Sequence, residues 1–405
     1  MKVCVVGRGG REHALATVLA RTAEVVRVPG EPGGVDADLF VIGPEQPLVD
    51  GVADRLRARG HLVFGPGADG ARLEGSKAWM KGVLAAAGVP TARAGVFTEV
   101  EPAVDFLRTL PGLYVVKTDG LAAGKGVLVT ESLAEAVEDV RAKLSGAAFG
   151  DAGRTVVVEE GLRGPELSLL AVCDGRRAVP LAPAQDFKRV GEGDVGPNTG
   201  GMGAYSPVPV AGDDVVGSVM ELAVEPTLAA LRATGVDYRG VLYAGLMLTG
   251  EGPRVLEYNV RFGDPEAQVV LPRFSGDLAL LLAEAAAGEL RTEPAFVDDA
   301  CVTVVLAAAG YPGAPRTGDV VSGVEAAESV EGVMVFHAGV AAGADGGLVT
   351  TGGRVLDVTA LGPTLEEARR RAYTAVTHIS FPGMQYRRDI AMAPTTGVAA
   401  GTRGS

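Results

Sequence analysis

The chain of 405 residues carries 37 Lys and Arg against 50 Asp and Glu, a formal net charge of −13, and 47% of it is apolar. That length calls for two to four domains, and the composition marks a globular protein whose 58 glycines follow no G-X-Y period. The acidic balance argues against nucleic-acid and anionic-membrane partners, no apolar run is long enough to span a bilayer, and Met1–Gly7 reads as a strand and not a leader, so a cytoplasmic location is expected.

Lys2–Gly7 reads as a buried strand and Arg11–Ala20 as the helix after a glycine-rich turn. Strands at Glu24–Val28, Asp38–Gly43 and His61–Phe64, with a helix at Val49–Arg59, suggest an open parallel α/β sheet. Only about nine residues separate the second and third strands, fewer than a parallel crossover takes. Either those strands are not adjacent and parallel, or a β–α unit is missing.

A helix at Ser76–Ala87 precedes a small α+β lobe: strands Val96–Thr98, Tyr114–Thr118 and Thr155–Glu159, a glycine-rich turn at Asp119–Val129 and a helix at Ser132–Leu144. Strand Glu166–Cys173 follows, and then Ala182–Pro209 reads as one long loop, which inside a compact domain is usually functional. A helix at Val215–Ala233, strands Val241–Thr249 and Arg254–Tyr258 and a helix at Asp277–Ala287 lead to a mostly antiparallel C-terminal region ending in helix Leu365–His378. Cys4, Cys173 and Cys301 lie far apart in apolar runs and read as reduced core thiols. His13 alone among the four histidines adjoins a motif.

Four stretches carry chemistry. In Lys117-Thr-Asp-Gly-Leu-Ala-Ala-Gly-Lys125-Gly126, a strand delivers Lys117 and a glycine-rich loop can approach phosphate oxygens, with a mobile hairpin of solvated lysines as the alternative. In Glu257-Tyr-Asn-Val-Arg261-Phe-Gly-Asp264-Pro-Glu266, strand alternation puts Glu257, Asn259 and Arg261 on one side, a set suited to Mg²⁺ with bound phosphate or else a plain polar strand face. Asp186 could receive an ammonium group and Lys188 and Arg189 anions, with Asn198-Thr199-Gly200-Gly201-Met202 as a backbone-rich nest or an ordered surface loop. Gly7-Arg8-Gly9-Gly10-Arg11-Glu12-His13 follows a strand and opens a helix, the place for an anion, although Glu12 breaks the dinucleotide fingerprint and a plain βα turn is the alternative. Nearby Pro44-Glu45 ends a parallel strand, where Glu45 could meet ribose hydroxyls.

In this order the stretches resemble the phosphoribosylamine–glycine ligase family of the ATP-grasp superfamily, and Arg261-Phe-Gly-Asp-Pro-Glu-Ala-Gln268 matches its signature. The resemblance runs from Met1 to Asp389. It implies an α/β and α+β multidomain protein: a Rossmann-like N-terminal domain (1–72), a two-lobed ATP-grasp unit (73–292, mobile lobe about 94–162), a small mostly antiparallel C-terminal domain (293–391) and a disordered tail (392–405). It further implies ATP-dependent ligation of glycine to phosphoribosylamine through glycyl phosphate, with Mg²⁺ or alternatively Mn²⁺, in a protein more often monomeric than oligomeric.

By that resemblance Arg261, Asp186 and Lys117 are catalytic. Lys77, Lys117, Gly124, Lys125, Gly126, Glu159, Glu160, Leu162 and Glu166 bind nucleotide, and Glu257 and Asn259 hold the metal. Gly9, Gly10, Arg11, Glu12, Pro44 and Glu45 serve phosphoribosylamine. Asp186, Lys188, Arg189, Asn198, Thr199, Gly200, Gly201, Met202, Arg261 and Asp264 surround glycine and its phosphate. Three departures stand out. Phe187 replaces the usual His, Val28-Pro-Gly-Glu31 replaces an A-P-G-N turn, and about thirty residues, the scale of a β–α unit, are absent between Gly34 and Asp36. A different ATP-grasp ligase or carboxylase, or a nucleotide-binding regulator without turnover, are the competing functions.

Overall fold

The computed structural model describes residues 1–121, 126–146, 154–344 and 346–392. Its N-terminal sheet is parallel throughout, in the spatial order Glu24–Val28, Lys2–Val6, Leu39–Ile42, Val63–Phe64. The two strands joined by the short connection are therefore parallel without being neighbours: Lys2–Val6 lies between them. The strap between Val28 and Leu39 crosses without a helix, and its Val35 and Ala37 pack on the face formed by Cys4, Phe40 and Leu48. Glu31 of the strap receives both arms of Arg55, each at 3.1 Å.

The helix expected at Val49–Arg59 is two helices, Glu45–Val49 and Val52–Ala58, because Gly51 between them has a left-handed backbone (φ 76°) that no helix can include. A further helix, Ala68–Gly75, ends at Ser76, whose hydroxyl caps the next helix, Lys77–Ala87, by accepting from Trp79 N–H at 3.1 Å.

The first lobe is an antiparallel sheet ordered Ala94–Phe97, Val156–Glu160, Tyr114–Thr118, Val127–Thr130. Helices Val100–Leu107 and Leu133–Leu144 cover it, burying Ala103, Leu107, Val116, Val140 and Val158. A second antiparallel sheet runs Ala178–Pro180, Glu166–Asp174, Arg239–Thr249, Gly252–Asn259. The helical run Asp213–Ala233 contains one wide turn at Met220–Val224, just ahead of Pro226, which has no N–H to offer the regular ladder.

The stretch 182–209 is not the single loop its composition suggests. Gln185–Asp186 and Gly203–Ser206 are strands, and they join a sheet whose other members are Ala300–Ala307, Arg354–Gly362 and Val333–His337. Between them Arg189–Gly191 and Val195–Asn198 pair as a hairpin. Helix Leu365–Val376 backs the C-terminal sheet, and its Ala368, Ala372 and Ala375 are fully buried. The expected tail beyond 392 lies outside the described residues.

The three cysteines are free and buried. Burial pushes the Cys4 thiol up to about 11 and that of Cys173 up to about 12, and moves Cys301 the same way, as inert core thiols require.

Helix Gly10–Leu19 meets the C-terminal domain so closely that a Cβ on Gly10 would lie 1.8 Å from Asp357 Oδ2. Asp357 is itself fixed on the strand Arg354–Gly362 and almost fully buried. Gly10→Ala is expected to lower unfolding stability by about 1–3 kcal/mol, and adding Asp357→Ala should recover part of that loss. Equal denaturation midpoints for Gly10→Ala and the parent chain would show that the two elements do not touch.

Candidate active site

Strand Gly252–Asn259 lies at the edge of its sheet, and its alternation places Glu257 and Asn259 on one side, with Arg261 just beyond. The Arg261 guanidinium gathers distant segments. Nη2 donates to Glu74 Oε1 at 2.9 Å and reaches Asn259 Oδ1 at 3.3 Å, while Nε faces Glu45 Oε2 at 3.4 Å. Arg11 approaches from the other side, donating to the Phe262 carbonyl at 3.2 Å and lying 3.9 Å from Glu45. Burial works against charge on Glu45, yet Arg261 and Arg11 hold its carboxyl below the usual range. Burial instead prevails at Glu74 and raises it, although Arg261 pulls the other way.

Glu12 is turned inward and is not offered to a ligand. It accepts from Gly9 N–H and from Arg11 Nε, each at 2.6 Å, and closes the first turn of its helix. It also fills the space over Gly7 and Gly43, where a Cβ would come within 2.6 and 2.3 Å of its side chain. The residue that breaks the dinucleotide fingerprint is thus a helix cap.

A second group is cationic. Lys117 is buried and donates to Glu159 Oε2 at 3.1 Å and to the Leu256 carbonyl at 3.2 Å, beside the strand that carries Glu257. Lys81 pairs with the other oxygen of Glu159 at 3.2 Å. Lys77 donates to the Gly120 carbonyl at 2.9 Å; burial lowers its pKa, Glu257 raises it and Lys117 lowers it further. Glu159 is only 1% exposed, and its side chain pairs with both lysines. Glu160 likewise accepts from Arg93 N–H at 2.9 Å, which leaves the half-buried Leu162 and the backbone of this segment for a base. Gly124 and Lys125 lie outside the described residues; the Gly126 carbonyl accepts from Thr118 N–H at 2.9 Å.

A third group surrounds Asp186. Lys188 Nζ reaches Asp186 Oδ1 at 3.1 Å and also bonds Glu166, so one ammonium joins the expected ribose residue to the expected glycine residue. Behind them Glu266 accepts from Tyr243 at 2.8 Å and Ser168 at 3.2 Å. Thr199 folds its hydroxyl onto the Lys188 carbonyl at 2.9 Å and accepts from Gly201 N–H at 2.9 Å, shaping the turn. Asn198 ends the hairpin opposite Arg189, and Gly201 (φ 110°) packs on Pro265, which a Cβ would meet at 2.4 Å. Two expected substrate residues are diverted. Met202 is 1% exposed in the core of the C-terminal domain, and Arg189 donates to the Gly196 carbonyl at 2.7 Å within its own hairpin. Asp264 is held by Arg354 and Gln268, each at 2.8 Å, and Arg354 extends to the carbonyl of Gly200.

Lys81, Glu74, Tyr243 and Arg354 escaped sequence reasoning. Their charged or hydrogen-bonding partners in the site, Glu159, Arg261, Glu266 and Asp264, stand 78, 187, 23 and 90 positions away in the chain, and no local spacing links them. Glu257 and Asn259 offer a carboxylate and an amide oxygen beside Lys77 and Lys117. Among the described residues no group of three or more His, Cys, Asp or Glu could hold a metal ion. Two hard oxygens still fit Mg²⁺, which takes its other ligands from phosphate and water. The whole arrangement can neutralise a polyphosphate, orient a carboxylate near it and receive an amine.

Comparison with known proteins gives a consistent picture. Models of the phosphoribosylglycinamide synthetase N domain, ATP-grasp (A) domain and C domain match residues 34–74, 75–267 and 301–393. A phosphoribosylamine–glycine ligase from Escherichia coli O6:H1 is 48% identical over 420 positions, covering 96% of this chain and 98% of the relative; that from Streptomyces coelicolor is 48% identical, covering 96% and 99%. Since 96% of 405 residues is about 389, about thirty of those 420 positions have no counterpart here. The crystal structure of the Thermotoga maritima phosphoribosylamine–glycine ligase superposes with a TM-score of 0.83 at 37% identity, covering 96% of this chain and all of that one. A biotin carboxylase domain from Hydrogenobacter thermophilus shares the fold at 17% identity, with a TM-score of 0.68.

Burial, opposed by Lys188 and reinforced by Glu266 and Glu166, pushes the Asp186 carboxyl up to about 7. A ¹³C NMR titration should place its midpoint there, and Lys188→Met should move it higher by removing the cation that lowers it. A midpoint near 3.8, the ordinary value for an aspartate, would contradict this placement.

Proposed function

Because the chain belongs to the phosphoribosylamine–glycine ligase family, it joins glycine to phosphoribosylamine with ATP in purine biosynthesis, and we propose the following roles for its residues. What supports this reading is one convergence: helix Lys77–Ala87 brings Lys77, strand Tyr114–Thr118 brings Lys117, and strand Gly252–Asn259 with the residues just after it brings Glu257, Asn259 and Arg261 to a single place.

The triphosphate lies along Lys77 and Lys117, and Lys125, outside the described residues, is assigned to the same phosphates. The backbone near Glu160 and Leu162 takes the adenine, and Glu166 the ribose. Glu257 and Asn259 would hold Mg²⁺, or Mn²⁺, which when bound offsets phosphate charge as the phosphoryl group transfers. Asp186 receives the ammonium of glycine, and Arg261 holds its carboxylate in line with the γ-phosphorus. Gly9, Gly10 and Arg11 with Pro44 and Glu45 hold phosphoribosylamine, the helix N-terminus favouring its phosphate.

A glycine carboxylate oxygen then attacks the γ-phosphorus, the bond to the ADP oxygen breaks, and glycyl phosphate forms. The amine of phosphoribosylamine attacks the acyl carbon, the bond to phosphate breaks, and the nitrogen loses a proton. Charge accumulates on the transferring oxygens, so Lys117 and Arg261 stabilise that moment more than the ground state. The acyl phosphate is open to hydrolysis, so the first lobe must close over it before the amine arrives. The working unit is a monomer in the cytoplasm, divided near 72 and 292.

Leaving out ATP, glycine or phosphoribosylamine in turn should each abolish ADP release coupled to product. Release that persists without phosphoribosylamine, and is unchanged by adding it, would point to another amine. Glu257→Ala should lower turnover at least about 100-fold with the fold intact by circular dichroism, and near-parental turnover at ordinary Mg²⁺ would remove Glu257 from the metal site.

A further inference from the structure

Phe187, where the family carries His, stands between Asp186 and Lys188, and its side chain points away from both. Extended backbone alternates its faces, so whatever seats Phe187 also decides which way its two neighbours present their charges. The ring packs against the C-terminal core, 4.9 Å beneath the guanidinium of Arg387.

Arg387 is 1% exposed, and every partner of its fork lies on one of two segments. On its own strap, Nε and Nη2 bond the two oxygens of Asp389 at 2.7 and 2.6 Å. On the hairpin that follows Phe187, Nη1 donates to the Arg189 carbonyl at 3.1 Å and to Asp194 at 2.6 Å. Asp389 closes the loop by accepting from Gly193 N–H at 2.8 Å, and the strap is pinned to helix Leu365–Val376, where Tyr373 donates to the Arg387 carbonyl at 2.7 Å. A buried ion pair of this kind contributes little net stability against an apolar replacement; its better-attested use is to fix one arrangement among several. A planar fork that reads a ring face, a carbonyl and two carboxylates does that where a flexible ammonium would not.

We propose that Arg387 is a positioning residue for glycine activation: by holding Phe187 and the hairpin tip, it sets the face on which Asp186 and Lys188 meet glycine. This rests on the assignment of Asp186 to glycine made above. The arrangement brings the last described segment of the chain to bear on a site formed by residues nearly two hundred positions earlier.

Initial-rate measurements of ADP release, varying glycine and ATP separately, test it. Arg387→Gln should raise KM for glycine about tenfold and leave KM for ATP within about twofold, and Arg387→Lys, which keeps the charge but not the fork, should fall between. Asp194→Asn, a change at an exposed hairpin tip that leaves the core untouched, should shift KM for glycine the same way by a smaller factor, and it decides the matter should the Arg387 variants not fold. Adding Phe187→Ala to Arg387→Gln should cost less than the product of the two single effects. Parallel changes in both KM values, or a lowered unfolding temperature with both KM values unchanged, would overturn the proposal. Asp186→Asn separates the two levels: no effect on glycine there sinks the site assignment itself, whereas an effect there with none in Arg387→Gln and Asp194→Asn sinks only the positioning role.

Discussion

The arrangement of the site depends on Arg261. Its guanidinium touches the N-terminal domain through Glu45, the helix Ala68–Gly75 through Glu74 and the strand Gly252–Asn259 through Asn259. Taking such a cation and two carboxylates out of water is costly, and their mutual attraction only roughly offsets it. The gain is geometric. With three acceptors arranged around a rigid plane, the strand that carries Glu257 and Asn259 cannot slide relative to the domain that presents Glu45. The neighbouring Lys81–Glu159–Lys117 triad works the same way, leaving Lys117 fixed beside Leu256.

An acidic protein of net charge −13 handles anionic substrates by segregation. Arg11, Lys77, Lys81, Lys117, Lys188 and Arg261 gather at the site, and the carboxylates admitted there are each paired with one of them, as Glu45, Glu74, Glu159 and Asp186 are, burial raising Glu74 and Asp186 as well. Each such carboxylate tunes a cation instead of repelling phosphate.

Much of this was legible in the residues. Strand alternation alone put Glu257, Asn259 and Arg261 together, and the glycine-rich turns and the parallel strands of the N-terminal sheet announced themselves by composition. The fate of individual side chains was less so. Glu12 and Met202 sit inside motifs that suggest ligands, yet one caps a helix and the other fills a core, because motif membership fixes where the backbone goes and not which way each side chain turns. The short strands at Gln185–Asp186 and Gly203–Ser206 hid in a polar, glycine-rich stretch, since they pair with each other across a hairpin and the second of them with a strand about a hundred residues further on, which leaves no periodic trace. The same distance concealed Lys81, Glu74 and Arg354. The short connection near Gly34 was visible as an anomaly, and its resolution, two strands separated by a third, needed the sheet order.

Gly203–Ser206 is hydrogen-bonded on one edge to Gln185–Asp186 and on the other to Ala300–Ala307. The strand that ends the substrate loop is thus simultaneously an interior member of the C-terminal sheet. Removal of the final hundred residues would strip one edge of this strand of its hydrogen-bonding partner and leave its amides and carbonyls facing water. The terminal portion is therefore a structural support of the loop Gln185–Ser206 and not an appendage to it.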